Sequence, residues 1–276
     1  MKNLIAVKYD CKEYANRLWN DLSVYAASLE LGAKATLPPL VQNIPFLRTL
    51  YEVYAQYIGR VLHPKDSMFA WGGTVRYLPP TTPLPEKYTD SGNLYLLGML
   101  FRNPLGFEKY GTEIKERFRA PDRVTKRIGE ILQPLAGRTL IGIHVRQRPF
   151  TYFSDGEFLL QPERVEAIVS EYLAHQGLSK GEVGLVVVSD GPFPNGAFAE
   201  YATVRGTDVP SLDFHLLSTT SVIIGTNSSM SNLAAWFGNT PHVVTLDEPI
   251  DWEYYKGRGT FFENKYATFT QKVSPY

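Results

Sequence analysis

The chain has 276 residues, which suits one large domain or two domains of about 100–150 residues each. Hydrophobic residues make up 44% and charged residues 20%, a balance that argues against a disordered or fibrous chain. The 28 basic residues match the 28 acidic residues, so no global positive field attracts nucleic acid, and no nucleic-acid partner is expected. The single cysteine, Cys11, excludes an intrachain disulfide and favours a reducing, cytoplasmic location. No apolar run approaches the roughly 18 residues of a membrane span, so no transmembrane segment is expected.

The first half of the chain contains few clear elements. An apolar stretch at residues 3–8 predicts a short buried strand. Helical spacing then relates Leu18, Leu22, Tyr25 and Leu29. Gly32 is a typical helix end. Further along, residues 47–61 predict a second helix, and the proline-rich residues 77–85 predict a loop.

The second half alternates between apolar strands and helices. Strands are predicted at residues 140–146, 183–189, 222–225 and 242–246. Helices are predicted from residue 121 onwards and at residues 162–175, 211–218 and 228–237. This alternation is typical of a parallel sheet with helices on both faces. Ligands of such sheets bind outside the carboxyl ends of the strands.

Polar side chains follow these strands at their carboxyl ends. They are His144, Arg146, Ser189, Asp190, Thr226, Asn227, Ser228 and Ser229. The helix that Ser228 caps offers free N–H groups to a phosphate, and Arg146 adds a permanently charged fork suited to a diphosphate. The pattern indicates a phosphorylated ligand, most simply a nucleotide. The alternative is that Ser228 is only a helix cap and that Arg146 pairs with a surface acid.

Motifs for several other chemistries are absent from the sequence. There is no glycine-rich dinucleotide fingerprint, no phosphate loop, no close histidine pair for zinc and no Asp-x-Asp for a metal-held diphosphate. A site without a metal neutralises a diphosphate with arginine and helix ends, which matches the residues at the strand ends. We therefore expect no metal site and no cofactor.

Several stretches resemble the fucosyltransferases that use GDP-fucose, which include the α-1,2 enzymes, the α-1,6 enzymes and the protein O-fucosyltransferases. Residues 141–147, IGIHVRQ, resemble their His-x-Arg strand. Residues 213–236 resemble the Asn-Ser-Ser-x-Ser and Ala-Ala-Trp segment of the α-1,2 enzymes, and their beginning, DFHLLS, is closer to the α-1,6 enzymes. Residues 186–192 are similar to a Ser/Thr-Asp-x-Pro strand end. The resemblance covers most of residues 140–246.

The resemblance implies an α/β fold of the GT-B type, in which two Rossmann-like domains face a cleft. Residues 1–135 would form the acceptor-side domain, and residues 136–276 would form the nucleotide-sugar-binding domain. It also implies an inverting, metal-independent transfer of fucose from GDP-fucose to a glycan hydroxyl. The expected partners are therefore a nucleotide sugar and a glycan acceptor.

Position by position, the resemblance also implies roles in donor binding. Arg146 would bind the β-phosphate, and His144 would lie near the donor sugar. Asp213 would accept hydrogen bonds from the guanine edge, and Asp190 would approach the nucleoside. The helix N-terminus would bind phosphate together with Asn227, Ser228 and Ser229.

Inverting transfer also needs a base on the acceptor hydroxyl. Glu157 stands five residues before Pro162, as a glutamate does before a helix-opening proline in the α-1,6 enzymes. Asp155 and His144 are the other candidates. The alternative is that Asp155 belongs to a turn and that Glu157 is solvated.

The chain departs from the α-1,2 pattern directly after Arg146. QRPF at residues 147–150 replaces Arg-Gly-Asp-Tyr, so a second arginine and an acid are lost unless Arg148 substitutes. Two alternatives to a fucosyltransferase therefore stay open. One is a GT-B glycosyltransferase that uses another nucleotide sugar, and the other is a non-catalytic relative that binds nucleotide sugars or glycans.

Overall fold

The computed structural model describes residues 3–7, 13–37, 93–97, 103–146, 162–191, 196–226, 228–244 and 249–255. The chain divides into two units, residues 1–119 with 274–276 and residues 120–273. The division falls between residues 119 and 120, whereas the sequence analysis places it between 135 and 136. The helix that begins at Asp122 belongs to the second unit because its Ile128 packs with Val186 and Leu216.

The first unit is built on three parallel strands in the order β2-β1-β3. The strands are β1 (Asn3–Val7), β2 (Lys34–Thr36) and β3 (Asn93–Leu97). The helices are α1 (Tyr14–Leu31), α2 (Pro104–Lys109) and α3 (Gly111–Arg117). The predicted strand and first helix are confirmed, and Gly32 ends α1 in the left-handed conformation with φ 59°. The predicted helix at residues 47–61 and the loop at residues 77–85 lie outside the described residues.

Helix α1 is buried around more of its circumference than one apolar stripe implies. Leu18 and Leu22 of that stripe are buried, and so are the polar residues Arg17, Asn20 and Asp21. The apolar spacing therefore identifies the helix, but it does not reveal how many of its faces the rest of the protein covers.

The second unit contains a parallel sheet of five strands in the order β6-β5-β4-β7-β8. The strands are β4 (Thr139–Val145), β5 (Val183–Ser189), β6 (Ala202–Arg205), β7 (Val222–Gly225) and β8 (His242–Val244). The helices are α4 (Asp122–Leu132), α5 (Pro162–Gln176), α6 (Pro210–Ser218), α7 (Ser229–Gly238) and α8 (Trp252–Tyr255). Among the helices of the described residues, none combines the length and apolar character that crossing a lipid bilayer requires.

Helices cover both faces of this sheet. One face packs on α5 through a cluster of fully buried side chains: Ile141, Ile143, Val145, Val165, Ile168 and Val169. On the other face, Val186 packs with Ile128 of α4 and Leu216 of α6. Strands that are covered on both faces have continuous apolar sequences, which is why β4, β5 and β7 were predictable. The predicted parallel sheet with helices on both faces is confirmed.

The register of the central strands aligns their carboxyl ends. His144 of β4 pairs with Val188 of β5 on one side and with Gly225 of β7 on the other. A Cβ atom on Gly225 would overlap the His144 carbonyl oxygen, so only glycine fits at this position. The residues that follow β4, β5 and β7 therefore share one edge of the sheet.

Candidate functional site

The carboxyl edge of the five-stranded sheet gathers several residues that the sequence analysis singles out. His144 and Arg146 lie at the end of β4, Asp190 follows β5, and Ser228 and Ser229 lie at the start of α7 after β7. Asp213 lies in the first turn of α6. The remaining predicted site residues, Asn227, Asp155 and Glu157, lie outside the described residues.

The His144 imidazole is buried beneath the N-terminus of α7, with 5% of the residue exposed. Its Nδ1 lies 2.6 Å from Ser231 Oγ and 3.2 Å from Ser228 Oγ. Burial, and secondly the charge of Arg146, lowers the pKa of His144 to about 3. The ring is therefore neutral at physiological pH, and an imidazole of such low basicity is a weak general base.

Ser231 is a buried residue of this site that the sequence analysis did not identify. Its hydroxyl donates to the Thr226 carbonyl oxygen at 2.9 Å and lies 3.1 Å from Ser228 Oγ. Ser228 is the N-cap of α7 because its Oγ accepts the Ser231 N–H at 3.2 Å. The spacing of three residues between the two serines at a helix start is the signal that could have revealed Ser231, because a capping hydroxyl reaches the third helical residue.

Contacts with Thr226 and Asp190 help to hold Arg146 at the sheet edge. Its backbone N–H donates to Thr226 Oγ1 at 3.1 Å. Its guanidinium Nε lies 3.8 Å from Asp190 Oδ2, and the two side chains are 15% and 38% exposed. Pairing with an acid is the alternative interpretation of Arg146. The same pairing would also fix the orientation of the guanidinium, which a bidentate phosphate ligand requires.

Asp213 is buried and holds the loop that precedes α6. Its Oδ1 accepts the Thr207 N–H at 2.7 Å and the Thr207 hydroxyl at 3.0 Å. Burial raises the pKa of Asp213, and the two bonds from Thr207 oppose this rise. The loop is joined to the sheet because the Gly206 N–H donates to the Val187 carbonyl oxygen at 2.7 Å. The Asp213 carboxylate therefore ties this loop to the first turn of α6.

A second buried histidine, His242, lies on the strand beside β7. Its Nδ1 lies 2.8 Å from Asn232 Oδ1 of α7. Burial, and secondly the neighbouring His144, lowers the pKa of His242 to about 3, and a hydrogen bond with the Thr226 backbone opposes this shift. Two neutral imidazoles therefore lie close together beneath α7.

We expect the protein to lose stability as the pH falls below about 6.5, the ordinary pKa of histidine. The folded-state pKa values of His144 and His242 are lowered to about 3, so between pH 6.5 and pH 3 the unfolded chain binds protons that the folded chain does not. Stability is therefore complete above pH 6.5, and each histidine removes up to ~1.4 kcal/mol per pH unit below it.

Urea unfolding between pH 8 and pH 5 measures this slope. The variant His242→Asn removes one titrating group and should reduce the slope, while the asparagine keeps a polar partner for Asn232. Equal stability at pH 7.5 and pH 5.5 in the parent protein would contradict the prediction.

The described residues contain no group of three or more His, Cys, Asp or Glu side chains arranged to hold a metal ion.

Comparison with known proteins identifies similar structures. No protein-family model and no curated protein sequence matches the chain. The crystal structure of NodZ α-1,6-fucosyltransferase soaked with GDP-fucose matches with a TM-score of 0.53 and 13% identity, over 88% of this chain and 94% of that chain. The fucosyltransferase NodZ from Bradyrhizobium matches with a TM-score of 0.52 and 13% identity, over the same shares of the two chains. POFUT1 in complex with GDP-fucose matches with a TM-score of 0.54 and 10% identity, over 87% of this chain and 94% of that chain.

This chain has the fucosyltransferase fold. The predicted GT-B-like α/β class is confirmed, and the resemblance inferred from the His-x-Arg strand and the Asn-Ser-Ser segment is confirmed at the level of the fold. At 10–13% identity, the likeness concerns the fold and leaves the activity to the chemistry of the site.

Proposed function

We propose that the protein is a glycosyltransferase that moves fucose from GDP-fucose to a glycan hydroxyl, with inversion and without a metal ion. The observation that carries this proposal is the sheet edge where Arg146, Asp190 and the N-terminus of α7 lie together. It supports donor binding because solved structures of the same fold contain GDP-fucose. The single cysteine supports a cytoplasmic location as part of the proposal.

In the proposed reaction, this edge binds the diphosphate of the donor. The Arg146 guanidinium binds the β-phosphate and stabilises the negative charge that develops as GDP departs. The N–H groups in the first turn of α7, which begins at Ser229, add hydrogen bonds and the positive end of the helix dipole. Because the Ser228 hydroxyl already caps the helix, its contribution to phosphate binding would come through the backbone.

The acceptor hydroxyl attacks the anomeric carbon of fucose from the side opposite the departing GDP. A new C–O bond forms, the bond to the β-phosphate oxygen breaks with its electron pair, and the hydroxyl proton passes to a base. We propose Glu157 as this base, with Asp155 as the alternative. His144 is the third candidate for the base, because its lowered pKa makes the imidazole a weak base.

One feature of the sequence favours a second candidate function. QRPF at residues 147–150 replaces the Arg-Gly-Asp-Tyr that follows the His-x-Arg strand in the α-1,2 enzymes. A non-catalytic protein that binds nucleotide sugars would tolerate this loss. Slow hydrolysis of GDP-fucose without acceptor separates the candidates, since an enzyme releases fucose and a binding protein does not.

We expect GDP to bind more tightly than UDP or ADP in the presence of EDTA, by about tenfold or more. The guanine edge presents N–H donors to the Asp213 carboxylate, and a hydrogen bond to a charged group contributes about 1.5–3 kcal/mol. Isothermal titration calorimetry with the three nucleotides measures this preference. A preference for UDP would contradict the use of GDP-fucose.

Two variants separate base recognition from support of the loop. Asp213→Asn should remove the preference for GDP. Thr207→Val deletes the hydroxyl that donates to Asp213 Oδ1, keeps the backbone N–H bond and should retain the preference. Equal losses in both variants would mean that Asp213 acts only by holding the loop.

A further inference from the structure

The hydrogen bonds around Ser231 determine which nitrogen of His144 carries the proton. The Ser231 hydroxyl lies 2.9 Å from the Thr226 carbonyl oxygen, and a carbonyl oxygen can only accept. Ser231 therefore donates its single hydroxyl hydrogen to Thr226. Since that hydrogen is used, Ser231 Oγ acts as an acceptor toward His144 Nδ1 at 2.6 Å.

The remaining contacts complete the same pattern. Ser228 Oγ accepts the Ser231 N–H at 3.2 Å, so its own hydrogen is available to a neighbouring acceptor. Ser231 Oγ lies 3.1 Å away and has a second lone pair, so it can accept the Ser228 hydroxyl hydrogen. A protonated Nδ1 of His144 has no lone pair with which to accept that hydrogen. Ser231 thus accepts two hydrogen bonds and donates one, and every hydrogen of the cluster has an acceptor.

We infer that Ser231 is a positioning residue that fixes His144 as the neutral tautomer with its hydrogen on Nδ1, so that Nε2 presents a lone pair to a hydroxyl of the donor sugar. Among the described residues, the imidazole ring of His144 makes its hydrogen bonds through Nδ1. A nitrogen lone pair accepts a hydrogen bond from a hydroxyl and repels a phosphate oxygen. This chemistry is compatible with the roles that the resemblance implies, with Arg146 at the β-phosphate and His144 near the donor sugar.

This inference rests on the proposed function for the identity of the ligand, but the tautomer itself does not depend on any ligand. A low basicity of His144 is consistent with a role as a hydrogen-bond acceptor. A ring that stays neutral keeps its lone pair at physiological pH, and the burial of the ring beside Arg146 disfavours protonation.

Long-range proton–nitrogen correlation spectra of the free, full-length protein test the tautomer directly. The His144 signals are assigned by their absence in His144→Gln. We expect a protonated Nδ1 and an unprotonated Nε2 in the parent protein. A protonated Nε2 in the parent protein would by itself overturn the inference, before any variant is measured.

Two serine variants form a matched pair. Ser231→Ala removes the acceptor of Nδ1–H and should move His144 toward the other tautomer. Ser228→Ala removes the helix cap but leaves the bond between His144 and Ser231, so the tautomer should be unchanged. If Ser231→Ala keeps the parent tautomer, Ser231 does not position His144.

The ligand is tested by comparing GDP-fucose with GDP. Ser231→Ala should weaken GDP-fucose binding roughly tenfold, the size of one hydrogen bond, while GDP binding changes little because GDP lacks the sugar. Equal weakening of both ligands would overturn the role of His144 toward the sugar. Failure of the parent protein to bind either ligand would contradict the proposed function and leave the tautomer result in place.

Discussion

Arg146→Lys is expected to lower sugar transfer about 10²–10³-fold while the protein stays folded. Arg146 is the proposed ligand of the β-phosphate, and its side chain is largely buried at the edge of the sheet. A lysine ammonium is a point charge that cannot reproduce the planar fork of a guanidinium, and it would lose the contact of Nε with Asp190 Oδ2. The measurements are the turnover number with GDP-fucose and the melting temperature.

Arg127→Lys provides the control for this prediction. Arg127 is an exposed residue of α4 that pairs with Glu130 three residues later, so the same exchange there should leave turnover unchanged. Parent-like turnover in Arg146→Lys, together with an unchanged melting temperature, would mean that another cation, with Arg148 as the first candidate, binds the phosphate.

The fold of the second unit could be predicted because its strands are buried on both faces. VGLVVVS of β5 and VIIG of β7 are apolar runs of the kind expected for strands of a parallel sheet that is covered on both faces. Strand β6, ATVR, was missed because it lies at the edge of the sheet, is only partly buried and has no apolar run. Helix α8 was missed because four residues carry too little helical periodicity to be distinguished. Strand β3, NLYLL, is as apolar as β7, but it was missed because the first half of the chain shows no clear alternation of strands and helices around it.

The positions of the site residues follow from the topology, but their contacts do not. Once the strands are known to be parallel, His144 and Arg146 must lie at the same edge as Ser228. The bond between His144 and Ser231 joins residues 87 positions apart, and it depends on how α7 is rotated over the sheet. The engagement of Asp213 Oδ1 by Thr207 likewise depends on the path of a loop, which no sequence pattern specifies.

Glu157→Gln is the second variant for which we expect a large effect, a loss of transfer of ~10²–10⁴-fold with GDP affinity retained. The acceptor hydroxyl attacks opposite the departing GDP, so the base belongs on the far side of the sugar from Arg146. Glu157 stands five residues ahead of Pro162, where α5 begins, and its side chain is one methylene longer than that of Asp155. Glutamine keeps the shape and hydrogen-bonding capacity of glutamate but removes the negative charge that makes it basic.

Two measurements on this variant separate the base from the donor site. Calorimetry with GDP should match the parent protein, because the base does not contact the diphosphate, whereas the transfer rate to an acceptor should fall. Asp155→Asn is the matched variant in the same segment, and it should lose less activity. If Glu157→Gln transfers fucose at the parent rate, Glu157 is not the base. Since the lowered pKa of His144 makes its imidazole a weak base, the proton would then pass to Asp155 or to the departing phosphate itself.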